Sequence, residues 1–101
     1  MQTNDRAIPA KVLVELYAPT LDYRNDALLP SHMTVANLRI GLLRLLREKE
    51  RRFFKATNIM IFHNGKQLKD NDTLASLGIW DGSILELEIT IKQNLHQFDP
   101  F

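Results

Sequence analysis

The chain has 101 residues, a length that holds one domain with one modest core. Lys and Arg number 13 against 12 Asp and Glu, a formal net charge of +1, so no bulk field draws the chain to nucleic acid or to an anionic membrane. There are no cysteines, which excludes a disulfide framework, thiol catalysis and a thiolate zinc site, while 45% hydrophobic and 25% charged residues are an ordinary globular composition.

Residues 1–10 read as a flexible polar lead, and Met1 to Arg6 lack the apolar core of a signal peptide. No apolar run is long enough to span a bilayer, so the expected location is the cytoplasm. Lys11–Ala18 (KVLVELYA) is β-rich and predicts a first strand. Pro19-Thr20 favours a turn, and residues 21–29 are expected to return as a second strand. Its alternation is interrupted by Asp22, Arg24, Asn25 and Asp26, which points to an exposed edge or a bulge. Pro30 ends it.

Thr34 is the expected N-cap of one long helix, because its hydroxyl can accept a hydrogen bond from a free backbone N–H. Val35, Leu38, Leu42, Leu45, Leu46 and Phe53 fall on one stripe at helical spacing. That stripe is expected to lie on a sheet. Arg44, Arg47, Lys49, Arg51 and Arg52 gather toward the helix C-terminus, where cations meet the negative end of the dipole. Glu48 and Arg52 are spaced for an i,i+4 pair.

Residues 59–62 alternate as a third strand. Asn64-Gly65 marks a reversal, since Gly carries no Cβ penalty at positive φ. Residues 66–68 give a short strand. Asp72-Thr73-Leu74 signals one capped helical turn ending at Leu77-Gly78. Asp81-Gly82 turns the chain into Ile84–Ile91, where Leu85, Leu87, Ile89 and Ile91 are expected to face the helix and Glu86 and Glu88 water. Residues 11–91 thus read as the domain and 92–101 as a tail. Leu95, Phe98 and Phe101 in the tail either cover an exposed sheet edge or fray, or else form a short docking segment.

This grammar, with GKQLKD at residues 65–70, Thr73-Leu74, Leu85-Glu86-Leu87 and the helix start Pro30-Ser31 followed by Thr34-Val35-Ala36-Asn37-Leu38, resembles ubiquitin and its relatives. The resemblance implies an α+β fold of β-grasp type, a mixed four- to five-stranded sheet with one long helix packed across it. A covalent modifier of this kind needs a carboxyl-terminal Gly-Gly. The four glycines here, at 41, 65, 78 and 82, are not adjacent, so conjugation is not expected. LPSHMTVANL at residues 29–38, together with Asn71-Asp72-x-Leu74 and Ile79-x-Asp81-Gly82-x-Ile84-Leu85-x-Leu87, is similar to the EsaB/YukD family. That family implies a cytoplasmic accessory protein of the type VII (ESX-like) secretion system. The alternative is a ubiquitin-like or Ras-binding-like interaction domain in an unrelated signalling pathway. The basic stretch at residues 44–55 and the continuation beyond Ile89 depart from the family.

Nothing in the sequence points to an enzyme, a metal or a cofactor. His32, His63 and His96 are scattered, with no second ligand at metal spacing on one element. Asp70-Asn71-Asp72 lacks the Gly and distal Glu of a calcium loop. Gly65-Lys66 lacks a phosphate-cradling glycine loop. What remains is protein binding, with cytoplasmic domains of secretion components as candidate partners, no nucleic acid, only indirect membrane contact, and a monomer or weak homodimer. The ubiquitin resemblance implies that Ile61 stands for the isoleucine centring ubiquitin's apolar patch, and Glu86 and Glu88 for its histidine and valine. Ile59 and Ile61 then form an outward patch beside acidic groups that would repel ordinary ubiquitin receptors. Otherwise they are ordinary strand residues. A second candidate surface is the outer helix face, where Ile40 and Leu43 lie off the core stripe among Arg39, Arg44 and Arg47. Its alternative is a solvated basic face.

Overall fold

The computed structural model describes residues 10–92; the expected lead and tail, apart from Ala10 and Lys92, lie outside the described residues. Strand β1 (Lys11–Ala18) runs into a 3-10 turn (Pro19–Leu21) and strand β2 (Tyr23–Pro30). Helix α1 (Val35–Lys49) follows, then a 3-10 turn (Arg51–Phe53), β3 (Ala56–His63), β4 (Lys66–Gln67) and β5 (Ile84–Ile91). The sheet order is β2-β1-β5-β3-β4. β1 and β5 pair in parallel at the centre, and the other pairings are antiparallel. One helix across a mixed five-stranded sheet is the β-grasp arrangement.

Alternation builds the inner face. Val12, Val14, Leu16, Leu85 and Leu87 are buried beneath α1, whose Val35, Leu38, Leu42 and Leu46 close the core. Ile89 and Ile91 are half-buried against the same cluster, while Glu86 and Glu88 are exposed. The second strand begins later than its composition suggests. Asp22 adopts a left-handed conformation (φ 50°) and donates its N–H to Pro19 O at 3.2 Å, so the turn absorbs residues 19–22. Pro30 is the last paired residue of β2, opposite Lys11. The register irregularity lies in β3, between Ala56 and Asn58, and β2 itself pairs regularly.

Thr34 caps α1 as expected: its Oγ1 accepts from Asn37 N–H at 3.3 Å. Two further N–H groups of the first turn, on Val35 and Ala36, donate to the carbonyls of Asp72 and Asp70. The helix ends at Lys49, four residues before the expected stripe does. Glu50 is extended (φ −116°, ψ 113°), and the chain folds back to bury Phe53 edge-on to Tyr23, ring centroids 5.3 Å apart. Phe53 therefore reaches the core from a separate turn. Leu45 is 40% exposed, because it faces the sheet margin where no strand lies beyond β2. The expected Glu48–Arg52 pair does not form; Arg52 lies beyond the helix, pairing with Glu50 and donating to Leu21 O.

Asn64 (φ 52°) and Gly65 (φ 81°) form the two-residue turn between β3 and β4, with His63 opposite Lys66. Thr73 and Ser76 bond reciprocally, each side-chain oxygen accepting the other's N–H at 3.0 Å, which fixes the turn predicted there. Asp81 does more than turn the chain. Its Oδ1 accepts from Leu13 N–H at 2.8 Å, fastening the last turn to β1.

Candidate docking surfaces

Ile59 and Ile61 are not on the surface. Each is 1% exposed, in the core between sheet and helix. The outward patch read from the sequence is therefore corrected: the alternation of β3 has the opposite phase. The bulge at Ala56/Asn58 makes Ile59 and Ile61 inward neighbours, and Met60 and Phe62 carry the outer side. Phe62 stands opposite Glu86 and Met60 opposite Glu88. Glu86 is exposed as expected, and its neighbour across the strands is Phe62. Elsewhere on this open face Leu13 and Leu28 lie opposite one another, 47% and 59% exposed, and the Arg24 guanidinium sits 4.2 Å from the Tyr17 ring centroid.

The outer helix face holds together better. Ile40, Leu43, Arg44, Arg47 and Glu48 recur at i, i+3, i+4, i+7 and i+8, one ridge opposite the core stripe. With Phe54 they line an open groove of about 440 Å³. Ile40 is 58% and Phe54 65% exposed; Leu43 is half-buried against the core. Phe54 was not singled out by the sequence. Its signal is the pair Phe53-Phe54: a chain reversal that buries one ring leaves the next one outside.

The cations around this groove differ in what they do. Arg39 does not belong to it. Its guanidinium bonds Ile59 O at 2.8 Å, Asp70 Oδ1 at 2.7 Å and Asn58 Oδ1 at 2.9 Å, tying α1 to β3 and to the loop after β4. The ion pairs among the described residues are Arg39–Asp70, Arg24–Glu15 and Arg52–Glu50, so Arg44, Arg47, Lys49 and Arg51 have no acidic partner there. An apolar floor with unneutralised cations on one rim suits a protein ridge that carries carboxylates. Among the described residues no group of His, Asp and Glu side chains is placed to hold a metal ion, and no helix is long and apolar enough to cross a membrane.

Solved structures with this fold include a ubiquitin-like domain of EccD5 from Mycobacterium xenopi, 19% identical with a TM-score of 0.65, covering 84% of this chain and 100% of that one. Ubiquitin of Caldiarchaeum subterraneum is 17% identical with a TM-score of 0.62, covering 83% and 99%. A chain of the MycP5-free ESX-5 inner membrane complex is 17% identical with a TM-score of 0.66 over 85% of this chain, which spans only 22% of that longer chain. No curated protein matches the sequence significantly. The family model described as WXG100 protein secretion system (Wss), protein YukD matches residues 14–87, so this ubiquitin-like chain belongs to the YukD family.

Proposed function

We propose that this type VII secretion-associated ubiquitin-like domain is a non-catalytic, non-conjugated docking module that binds a cytoplasmic part of the secretion machine through the outer face of α1. One observation carries the reading. Ile40 and Phe54 stand exposed beside Arg44 and Arg47, cations without an acidic partner among the described residues. An isolated exposed apolar residue is normal on any surface; two flanking one groove on a charged helix face mark a binding ridge. The likeness to a chain of the ESX-5 inner membrane complex supports a membrane-complex component as the partner.

Affinity purification from the native cell tests this, comparing the unaltered chain with Ile40→Glu/Phe54→Ser. The expected result is recovery of a secretion-system component by the first and its loss with the second, at an unchanged melting temperature. Equal recovery of that component by both would remove α1's outer face from the reading. Recovery only of components unrelated to secretion would favour the signalling alternative.

A further inference from the structure

The family match stops at residue 87, and residues 93–101 lie outside both it and the described domain. Strand β5 carries the chain to Ile91, and Lys92 donates its N–H to Lys55 O at 3.0 Å. The segment that follows therefore leaves the domain beside Lys55, one residue from Phe54. Phe54 lines the groove on the outer face of α1, and it also lines the adjoining hollow with Arg47, Lys49 and Arg51. It thus marks the end of the groove at the helix C-terminus. From there the ridge runs back to Ile40, about 12 Å along the helix axis. Nine residues reach about 30 Å when extended, so residues 93–101 are long enough to cover the whole ridge.

The chemistry of the segment matches that of the ridge. Leu95, Phe98 and Phe101 recur at every third position, and Asp99 supplies a carboxylate. The ridge offers Ile40 and Phe54, both exposed, beside Arg44 and Arg47, which have no acidic partner among the described residues. Other arrangements fit less well. A second copy set face to face on the same ridge brings Arg44 and Arg47 against their twins. The open face of the sheet presents Glu86 and Glu88, which repel Asp99. We propose that residues 93–101 fold back over the outer face of α1, with Leu95 near Phe54, Phe98 toward Ile40 and Asp99 on the Arg44–Arg47 rim, and shield that face until a partner displaces them. The shielding rests on the reading of the face as a partner site; the docking of the segment does not. A tether this short holds the segment at about millimolar effective concentration. Occupying the face about nine-tenths of the time, it lowers partner affinity about tenfold. The basic stretch at residues 44–55 and the continuation beyond Ile89, the two departures from the family, then form one device.

The chain has no cysteine, so Gln97→Cys carries a single nitroxide label in otherwise unaltered protein. The label is expected to broaden the amide resonances of Ile40, Arg44, Arg47 and Phe54. It is expected to spare those of Arg24 and Leu28 on β2 and of Met60 and Phe62 on the open face. Adding Phe98→Ser and Asp99→Asn to the labelled chain is expected to abolish most of the broadening. Broadening that is absent, that falls on the sheet instead, or that survives both changes overturns the proposal. Broadening in an isotope-labelled chain mixed with a spin-labelled, isotope-free one also overturns it, since the segment then comes from a second copy. In the affinity purification, Phe98→Ser/Asp99→Asn is expected to raise recovery of the secretion-system component about tenfold at limiting bait. Unchanged recovery alongside groove broadening overturns the shielding. No groove broadening, with recovery still lost in Ile40→Glu/Phe54→Ser, sinks the segment and keeps the outer-face reading. Groove broadening with recovery indifferent to Ile40→Glu/Phe54→Ser keeps the docked segment and sinks that reading.

Discussion

Single residues decide which side of a strand is buried, and β3 shows how little separates the two outcomes. Residues 59–62, read as an alternating strand, are IMIF, apolar at every position, so periodicity alone does not choose between Ile59/Ile61 and Met60/Phe62 as the inward pair. The bulge that sets the phase lies upstream, in residues whose sequence does not announce it. Glu86 and Glu88 were legible as outward because charge alternates with Leu85 and Leu87; their cross-strand neighbours were not. Ile61→Glu places a carboxylate in the core and is expected to abolish cooperative thermal unfolding, while Phe62→Glu, on the open face, lowers the melting temperature only slightly. Similar melting curves for the two would return β3 to the opposite phase. Arg39 was read as one of several surface cations, yet it satisfies three acceptors. Arg39→Ala is expected to cost about 1.5–3 kcal/mol in urea unfolding. Arg39→Lys restores little, because one ammonium does not span three acceptors on different segments.

At the level of elements, the start of the helix was easier to read than its end. Thr34 supplies a local cap, and local chemistry is what a sequence displays. Its loss in Thr34→Ala is expected to cost about 1 kcal/mol by equilibrium unfolding. The stop after Lys49 carries no Gly or Pro; it exists because Phe53 gains more by packing on Tyr23 than by extending the helix, a tertiary demand that helical spacing does not reveal. Phe53 keeps the stripe's phase in either conformation, which is why the stripe looked unbroken. Leu42 and Leu45 were equal members of it on paper, but one is 2% exposed and the other 40%. Leu42→Ala is expected to lose about 2–5 kcal/mol, whereas Leu45→Ala, half in solvent, falls well below that range. Equal losses would mean that the margin beyond β2 is better covered than its exposure indicates. The outer-face candidates Ile40 and Leu43 came from the same wheel and share one groove; Phe54, brought there by the chain reversal, was invisible to it.

For the whole molecule, alternation and turns supplied the elements but not their order. Nothing in the spacing of apolar residues says that β5 enters between β1 and β3; the structure supplies that order. The order has a mechanical consequence. β5 is the one strand that joins the β1–β2 hairpin to the β3–β4 pair, and its parallel contact sets Glu15 against Ile84, nearly the full length of the domain apart in sequence. Closing that contact costs loop entropy before much apolar surface is buried, so the central pairing is expected to form late. Once formed, it lies between paired strands on both sides and opens only with the whole domain. Native-state hydrogen exchange is therefore expected to rank the β1 and β5 amides slowest, at the free energy of global unfolding, with the Arg24 and Leu28 amides of the edge strand β2 exchanging far faster. A break after Gly82 that removes β5 leaves two hairpins with no strand between them and only α1 in common, and neither is expected to hold structure alone. Protected β1 amides in such a truncated chain would show that the hairpin and α1 suffice as a folding unit and that β5 completes the sheet rather than nucleating it.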